Sequence, residues 1–300
     1  MEHSLNQELL NLRDWVRWAS SRFRSADLFY GHGTDNDWDE ALVLALWAIN
    51  QPWQRLEQLW EARLSSAEKQ ALFDAVERRI TERCPAAYIT GEAWFANLPF
   101  FVNEHTLVPR SPIAELIEQQ FQPWLDNYPE RILDLCTGSG CIGIAMAHEF
   151  AGSEVDLIDI SRDALDVAQR NIERFDLSDR VRAIDSDGLS AVLGKEKYGL
   201  IVSNPPYVSE SEYSGLPTEF FREPKLGLTS GDDGFDFVRQ LLEQAPECLQ
   251  PGGLLVVEVG YGWQEFAELF SQYPFFWPEF EHGGEGVFII NREQLIEAAE

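Results

Sequence analysis

The chain has 300 residues, of which 45% are apolar and 12% aromatic. That length suggests one large or two ordinary domains, and the composition excludes a disordered chain. The formal net charge is −28, with 51 acidic against 23 basic residues. A surface this acidic repels nucleic acid and attracts basic partners, although acidity that serves only solubility explains the charge equally well.

The sequence shows no pattern typical of a targeting signal and no cysteine pattern typical of a metal site or a disulfide framework. No apolar run reaches the length of a membrane span, and the acidic, amphipathic N-terminus is unlike a signal peptide. The four cysteines are scattered and include no C-x-x-C pair. We therefore expect a cytoplasmic protein with reduced thiols, no metal site and no membrane association. The oligomeric state stays open.

The first 84 residues predict a small helical domain. Apolar side chains recur at helical spacing along residues 5–25. A second helix is expected to begin with Asp37 as its cap, and a later one with Ser65, each with a glutamate three positions further on. We expect this domain to recognise the substrate.

A linking segment follows the helical domain. Residues 85–110 are rich in aromatic and β-branched residues and are interrupted by Gly91 and Asn97. This composition predicts a β-hairpin that joins two domains. The next helix is expected to begin near Pro112.

Residues 111–300 alternate between strand and helix patterns. Short apolar segments such as RILDL (131–135) and YGLIVSN (198–204) alternate with helical segments, one of which Ser161 is placed to cap. This order predicts an α/β fold with a doubly wound, mostly parallel sheet.

The first strand of this sheet ends in DLCTGSG (134–140). In open α/β sheets, ligands bind beyond the carboxyl ends of strands, at the point where strand order reverses. Small residues here allow a tight turn close to a ligand, although a plain strand-to-helix turn explains them too. Asp134 is an acceptor better suited to an amine or a cation than to a phosphate.

Two further aspartates follow later strands. Asp159 ends the second strand and suits both hydroxyls of a ribose. Asp187, in DSDG (185–188), suits an adenine amine, with a solvated turn aspartate as a serious alternative. Together with Asp134, they describe a site for a nucleoside with a charged, phosphate-free tail, which S-adenosylmethionine fits.

The predicted strand YGLIVSN (198–204) leads into NPPY (204–207). The Asn204 side-chain oxygen and the Pro205 carbonyl can accept the two hydrogens of a planar NH2, while the prolines restrict the chain and Tyr207 stacks on the flat group. A proline-stiffened loop is the alternative. Glu258, at the end of the strand LLVVE, either faces this site or caps the sheet.

The combination of DLCTGSG, IDIS, DSDG and SNPPYV resembles the class I S-adenosylmethionine-dependent methyltransferases. NPPY is similar to the motif of members that methylate an adenine amine or a glutamine amide. The segments YITGEAWFANLPFFVNEHTLVPRSP and EPKLGLTSGDDGFDF resemble the protein-glutamine branch. The opening LRDWVRWASSRF and LFYGHGTDNDWDEA resembles its members that act on the large-subunit ribosomal protein L-three, and the likeness covers nearly the whole chain.

The resemblance implies S-adenosylmethionine as cofactor, a basic ribosomal protein as partner, and no direct DNA binding. It places Phe101, Arg110 and Glu115 near the cofactor or the substrate glutamine, and many relatives carry glycine in place of Cys136. The expected cofactor residues are Asp134, Cys136, Thr137, Gly138, Ser139, Gly140, Asp159, Asp187, Gly188 and Phe101. The expected catalytic residues are Asn204, Pro205, Pro206 and Tyr207, and the expected substrate residues are Arg110 and Glu115.

Three other functions compete with this one. The same catalytic half would serve the glutamine of a peptide chain release factor, and only the N-terminal loop GHGTDN favours the ribosomal protein. An adenine methyltransferase needs a basic groove, which the acidic composition disfavours. A scaffold without catalysis would not need an intact Asn204 and cofactor turn.

Overall fold

A computed structural model describes residues 8–299 as two compact units. Within that described part, unit 1 comprises residues 8–92 together with Pro217–Arg222, and unit 2 comprises Ala93–Leu216 together with residues 223–299. The expected division at residue 84 therefore differs from the observed one in two ways. The helical unit extends further along the chain, and it includes a short segment taken from the predicted catalytic domain.

Unit 1 is helical, as its patterns predict. Its helices are α1 (Leu12–Ser25), α2 (Asp37–Ala48), α3 (Leu56–Leu59), α4 (Ser66–Thr81) and α5 (Ala86–Thr90). The expected capping box at Ser65 is confirmed, because its side chain accepts from the Glu68 N–H and the Glu68 side chain accepts from the Ser65 N–H. Residues 5–7 of the first predicted helix lie outside the described residues.

The cap of α2 is Asn36, and the prediction of Asp37 was wrong. The Asn36 side chain accepts from the N–H groups of Trp38 and Asp39 at 3.1 and 2.9 Å. Asp37 is instead the first helical residue. Its buried carboxylate accepts hydrogen bonds from Ser20 and Arg24. Asparagine and aspartate cap helices equally well, so the local pattern could not choose between adjacent positions.

The predicted hairpin over 85–110 is shorter than expected. Its first part is α5, which Pro85 precedes and which Gly91 ends with a φ of 71°. The hairpin itself consists of β1 (Glu92–Phe95) and β2 (Leu98–Phe101). The two residues of its turn, Ala96 and Asn97, have φ values of 45° and 62°, the positive values that tight two-residue hairpins require.

Unit 2 contains the predicted doubly wound sheet. Its strands are β3 (Arg131–Leu135), β4 (Glu154–Asp159), β5 (Val181–Asp185), β6 (Tyr198–Ser203), β7 (Leu249–Glu258) and β8 (Val287–Asn291). The strand order is β5-β4-β3-β6-β7-β8, and every pair is parallel except β7 with β8. The helices are α6 (Ile113–Glu118), α7 (Cys141–Glu149), α8 (Arg162–Arg174), α9 (Glu210–Tyr213), α10 (Asp236–Cys248), α11 (Trp263–Leu269) and α12 (Arg292–Ala299).

Both faces of this sheet are buried. Ile132 and Leu200 belong to one apolar cluster, whereas Leu133 and Ile201, one position further along each strand, belong to a second. A strand whose two faces are covered carries a continuous apolar run, which is why RILDL and GLIVS read as buried strands. In the part of the chain that the structure describes, no helix is long and apolar enough to cross a membrane.

Residues 217–222 join unit 1 through a buried ionic cluster. One oxygen of Glu219 accepts from Arg79 at 3.2 Å, from Arg83 at 3.3 Å and from the Phe29 N–H at 3.1 Å. Arg79 also donates to Glu40, and its side chain is 1% exposed. Residues 140 positions apart in sequence therefore share one buried set of charges, and no local pattern marks that pairing.

Arg79→Met should destabilise unit 1. The substitution keeps most of the side-chain volume but leaves the buried carboxylates of Glu40 and Glu219 without their shared cation, at a cost of about 3–5 kcal/mol. Urea unfolding followed by tryptophan fluorescence measures the loss. Arg55→Met, at an exposed arginine, is the control and should stay within about 0.5 kcal/mol of wild type. Equal stability of the two variants would contradict the account.

Candidate active site

The point at which strand order reverses lies between β3 and β6. The chain leaves β3 towards β4 and β5, then returns to pair β6 with the opposite edge of β3. Leu135 pairs with Ser203, and the Ser203 hydroxyl donates to the Leu135 carbonyl at 2.7 Å. Cys136 follows the end of β3 and Asn204 follows the end of β6. These two residues therefore begin two adjacent turns at the carboxyl edge of the sheet.

Asp134 is fully buried beneath the first of these turns. Its Oδ2 accepts from the Thr137 hydroxyl at 2.6 Å and from the Gly143 N–H at 2.8 Å. Its Oδ1 is buried and has no hydrogen-bond partner among the described residues. Burial raises the pKa of this carboxyl to about 7. The side chain thus shapes the turn with one oxygen and keeps the other unpaired.

The turn over 136–140 depends on left-handed backbone. Gly138 and Gly140 have φ values of 54° and 81°, and a Cβ added to Gly138 would meet no atom within 4 Å. The chain at Gly138 is therefore bordered by open space, as close approach of a ligand to backbone requires. Cys136 has a φ of 60°, a conformation in which a side chain adds strain and which glycine adopts freely.

Asp159 holds the same turn from the neighbouring strand. Its two oxygens accept from the N–H groups of Gly138 and Ser161, both at 2.9 Å. Each carboxylate oxygen can accept a second hydrogen bond, so the half-buried side chain retains capacity for two hydroxyls. Burial raises its pKa. Ser161 caps α8 by accepting from the Ala164 N–H, as expected.

Asp187 lies in the turn that follows β5. Its side chain is exposed and makes no hydrogen bond within residues 8–299, while its carbonyl accepts from the Ser190 N–H at 3.2 Å. Gly188 follows with a φ of 54°. The carboxylate is therefore available to a donor such as an adenine amine, and that role stays a prediction.

Phe101 is fixed by a residue that the sequence reading did not identify. Asn171, fully buried on α8, accepts from the Phe101 N–H at 2.8 Å and donates to the carbonyls of Phe101 and Ser139 at 2.9 and 2.8 Å. The guanidinium of Arg170 lies 3.5 Å from the Phe101 ring centre. Asn171 could have been identified from the sequence as an asparagine on the otherwise apolar face of an amphipathic helix.

The second turn carries the expected amide acceptors. Among residues 8–299, neither the Asn204 carboxamide nor the Pro205 carbonyl makes a hydrogen bond. Asn204 is half-buried and Pro205 is buried. The Tyr207 hydroxyl donates to Glu258 at 3.0 Å. The turn therefore presents two unpaired oxygen acceptors on a restrained backbone.

The two predicted substrate residues both have partners within unit 2. Arg110 donates two hydrogen bonds of 2.7 Å to the two oxygens of Glu223. The oxygens of Glu115 accept from the N–H groups of Glu281 and His282, both at 2.9 Å. These contacts give each residue a structural role, and contact with substrate stays a prediction for both.

The groups available at this edge of the sheet fit S-adenosylmethionine. The unpaired buried oxygen of Asp134 suits a cationic amine, Asp159 has capacity for the hydroxyls of a ribose, and the Gly138 backbone is open to a ligand. Among residues 8–299, no group of histidine, cysteine, aspartate and glutamate side chains could hold a metal ion.

Comparisons with known proteins cover both units of the chain. A family model described as the methyltransferase small domain matches residues 116–234, and one described as the PrmC N-terminal domain matches residues 14–91. The ribosomal protein uL3 glutamine methyltransferase of Neisseria gonorrhoeae is 44% identical over 292 residues, which cover 97% of each chain. Its namesake from Neisseria meningitidis is also 44% identical, covering 97% of this chain and 96% of the relative.

One solved structure supports the fold. The hMettl16 catalytic domain, in complex with MAT2A 3'UTR hairpin 1, is 14% identical, has a TM-score of 0.52, and covers 82% of this chain and 88% of its own. At that identity the likeness concerns the fold alone.

Asp134→Asn should stabilise the protein without ligand and weaken cofactor binding. The folded pKa of Asp134, about 7, exceeds its unfolded value of 3.8. Ionisation therefore destabilises the folded state as pH rises from about 4 to about 7, by at most about 4 kcal/mol. The amide mimics the neutral acid, so the stability gained by the variant should grow between pH 5 and pH 7 and be constant above.

Urea unfolding at several pH values measures this gain, and calorimetry should show cofactor binding weakened by about 1–3 kcal/mol. Asp233→Asn is the control. Its carboxylate bonds Arg239, which lowers its pKa, so the effect of that variant should be constant between pH 5 and pH 8. A gain in Asp134→Asn that does not change with pH would contradict the assignment.

Cys136→Gly should leave stability within about 1 kcal/mol of wild type, because relief of the left-handed strain offsets the greater freedom of glycine in the unfolded chain. Cys136→Val should lose at least about 1 kcal/mol, because branched side chains tolerate positive φ poorly. Thermal unfolding compares them, with Cys136→Ala as the control for the lost thiol. Equal melting temperatures for the glycine and valine variants would refute the proposed backbone strain at Cys136.

Proposed function

Because this chain belongs to the family of ribosomal protein uL3 glutamine methyltransferases, we propose that it methylates the side-chain amide nitrogen of a glutamine in the large-subunit ribosomal protein L-three (uL3). The family is of the S-adenosylmethionine-dependent type. The relatives match nearly their whole length, so the proposal draws on both units and not on a shared catalytic core alone.

The unpaired acceptors of the NPPY turn support a planar NH2 as substrate. A glutamine amide presents two N–H groups in one plane, and the turn offers two oxygens, one from the Asn204 side chain and one from the Pro205 carbonyl, neither of which bonds elsewhere in residues 8–299. A substrate without that NH2 would leave both buried or half-buried acceptors without donors, which disfavours its binding.

The chemical task is to make a weak nucleophile react. The amide nitrogen shares its lone pair with the carbonyl, so alignment and charge stabilisation are what this site can supply. When bound, the cofactor supplies an electrophilic methyl group on a positively charged sulfur. Asn204 and Pro205 orient the nitrogen, and their hydrogen bonds strengthen as that nitrogen gains positive character. No general base is needed, because the methylated cationic amide loses a proton readily to water.

The charge of the chain suits a basic protein partner. The net charge of −28 favours encounter with a basic chain and opposes encounter with nucleic acid. We propose that unit 1 recognises the ribosomal protein and that Arg110 and Glu115 keep their neighbouring loops in place near the substrate. Action in the cytoplasm follows from the proposed substrate.

Asn204→Ala should slow methyl transfer strongly while cofactor still binds. Loss of one of two orienting acceptors should lower kcat by about 10²–10³-fold, measured with radioactive S-adenosylmethionine and undermethylated uL3, while calorimetry reports cofactor affinity. Asn127→Ala, at an exposed asparagine, is the control. Loss of cofactor affinity in parallel with activity would show a structural role instead.

The same assay discriminates the substrates. The proposal is supported if uL3 becomes labelled while unmethylated release factor and an adenine-containing oligonucleotide do not. Preferential labelling of the release factor would keep the chemistry and change the partner, and labelling of the oligonucleotide would refute the amide altogether.

A further inference from the structure

A buried carboxylate stands behind the NPPY turn. Glu258, the last residue of β7, is 6% exposed. Its Oε1 accepts from the Tyr207 hydroxyl at 3.0 Å, and its Oε2 accepts from the Ser111 hydroxyl at 2.5 Å. No basic side chain lies within ion-pair distance of Glu258 among the described residues, and two hydroxyls donate the hydrogen bonds to its carboxylate.

The partners of Glu258 lie on separate elements. Ser111 precedes α6, and its oxygen accepts from the Ile113 N–H at 3.2 Å. Tyr207 ends the NPPY turn. One carboxylate therefore joins the start of a helix, the end of a strand and the turn that carries the amide acceptors. The link spans 147 residues to Ser111 and 51 residues to Tyr207.

Tyr207 fits closely against two glycines, with its ring against Gly260 and its main-chain carbonyl against Gly234. A Cβ on Gly260 would lie 2.4 Å from the ring, and a Cβ on Gly234 would lie 2.3 Å from the Tyr207 carbonyl oxygen. Both glycines have positive φ, of 64° and 85°. The chain thus leaves room for this ring in one place, and the Glu258 hydrogen bond fixes its orientation there.

We propose that Glu258 is a positioning residue for methyl transfer, whose bonds to the hydroxyls of Tyr207 and Ser111 hold the Asn204 and Pro205 acceptors in place. The inference rests on the proposed amide chemistry. Tyr207 lies two residues after Pro205, so freedom of its ring passes directly to the acceptor carbonyl. In-line transfer tolerates little displacement of the nucleophile, and loss of this bond should therefore lower kcat more than binding.

The ionisation states agree with the direction of donation. Burial raises the pKa of Tyr207 well above its ordinary value, so the hydroxyl remains protonated and donates. Burial also raises the pKa of Glu258, and the donors Ser111 and Tyr207 oppose that rise. Arg110 faces the same pair and is itself bound to Glu223.

Kinetics of three variants test the proposal with uL3 as acceptor. Glu258→Ala should lower kcat by roughly 10–100-fold, with KM and cofactor affinity changed less than about threefold. Glu258→Gln should recover most of the rate, because its amide oxygen can accept from Tyr207 and its NH2 can donate to Ser111. Glu293→Ala, which removes an exposed acceptor of the Gly252 N–H, is the control and should retain full activity.

A double-variant cycle identifies the route of the effect. If Glu258 acts through the Tyr207 hydroxyl, the double variant Glu258→Ala/Tyr207→Phe should lose far less activity than the product of the two separate losses. Losses that multiply would overturn the proposal, and so would a glutamine variant as slow as the alanine variant.

Hydrogen exchange provides a test that needs no methyl transfer. In Glu258→Ala, amides in the peptide over 203–209 should exchange faster than in wild type, while the peptide over 131–135 of β3 should be unchanged. Unchanged exchange at 203–209 would overturn the positioning role even if no glutamine acceptor were found. If Glu258→Ala exchanges faster at 203–209 but the wild-type protein transfers no methyl group to glutamine, the proposed function is refuted and the positioning of the turn by Glu258 is not.

Discussion

Parallel pairing of β3 with β6 is the constraint on which the rest of unit 2 depends. Leu135 and Ser203 end their strands side by side, and the Ser203 hydroxyl secures that end to the Leu135 carbonyl. The turn over 136–140 and the NPPY turn therefore begin at adjacent positions on one sheet edge. Any slip of this register would separate the two turns and exchange the faces of the strand, because side chains alternate along it.

Buried and half-buried carboxylates organise the loops around this edge. Asp134 and Asp159 accept from backbone N–H groups and one hydroxyl, and Glu258 accepts from two hydroxyls. Neutral donors shape the loops without cancelling the charge of the carboxylates, so a negative potential remains at this edge of the sheet. The carboxylates of Glu219 and Glu223 differ, because arginines pair with each of them.

The order of elements and the tight turn over 136–140 could be predicted because they depend on local rules. Helical and strand periodicities identified the sheet and the helical unit, and the Ser65 capping box lies within four residues. The carboxamide and carbonyl oxygens of the NPPY turn could also be predicted, since they are set by residue type, and their contact with a substrate amide stays a prediction. The helix over 86–90 was missed because the aromatic and β-branched residues of this segment favoured a strand. Pro85 and Gly91, which mark the two ends of the helix, were the weaker signal.

The sequence by itself determined which groups this protein can offer to a ligand: small residues at one turn, carboxylates at strand ends, and a carboxamide beside two prolines. Only the tertiary structure decided which of those groups are already engaged. Arg110 is bound to Glu223, Asn171 holds Phe101, and residues 217–222 join unit 1. Such partners are distant in sequence, and their pairing follows from packing and from the cost of burying a charge alone, which no local pattern encodes.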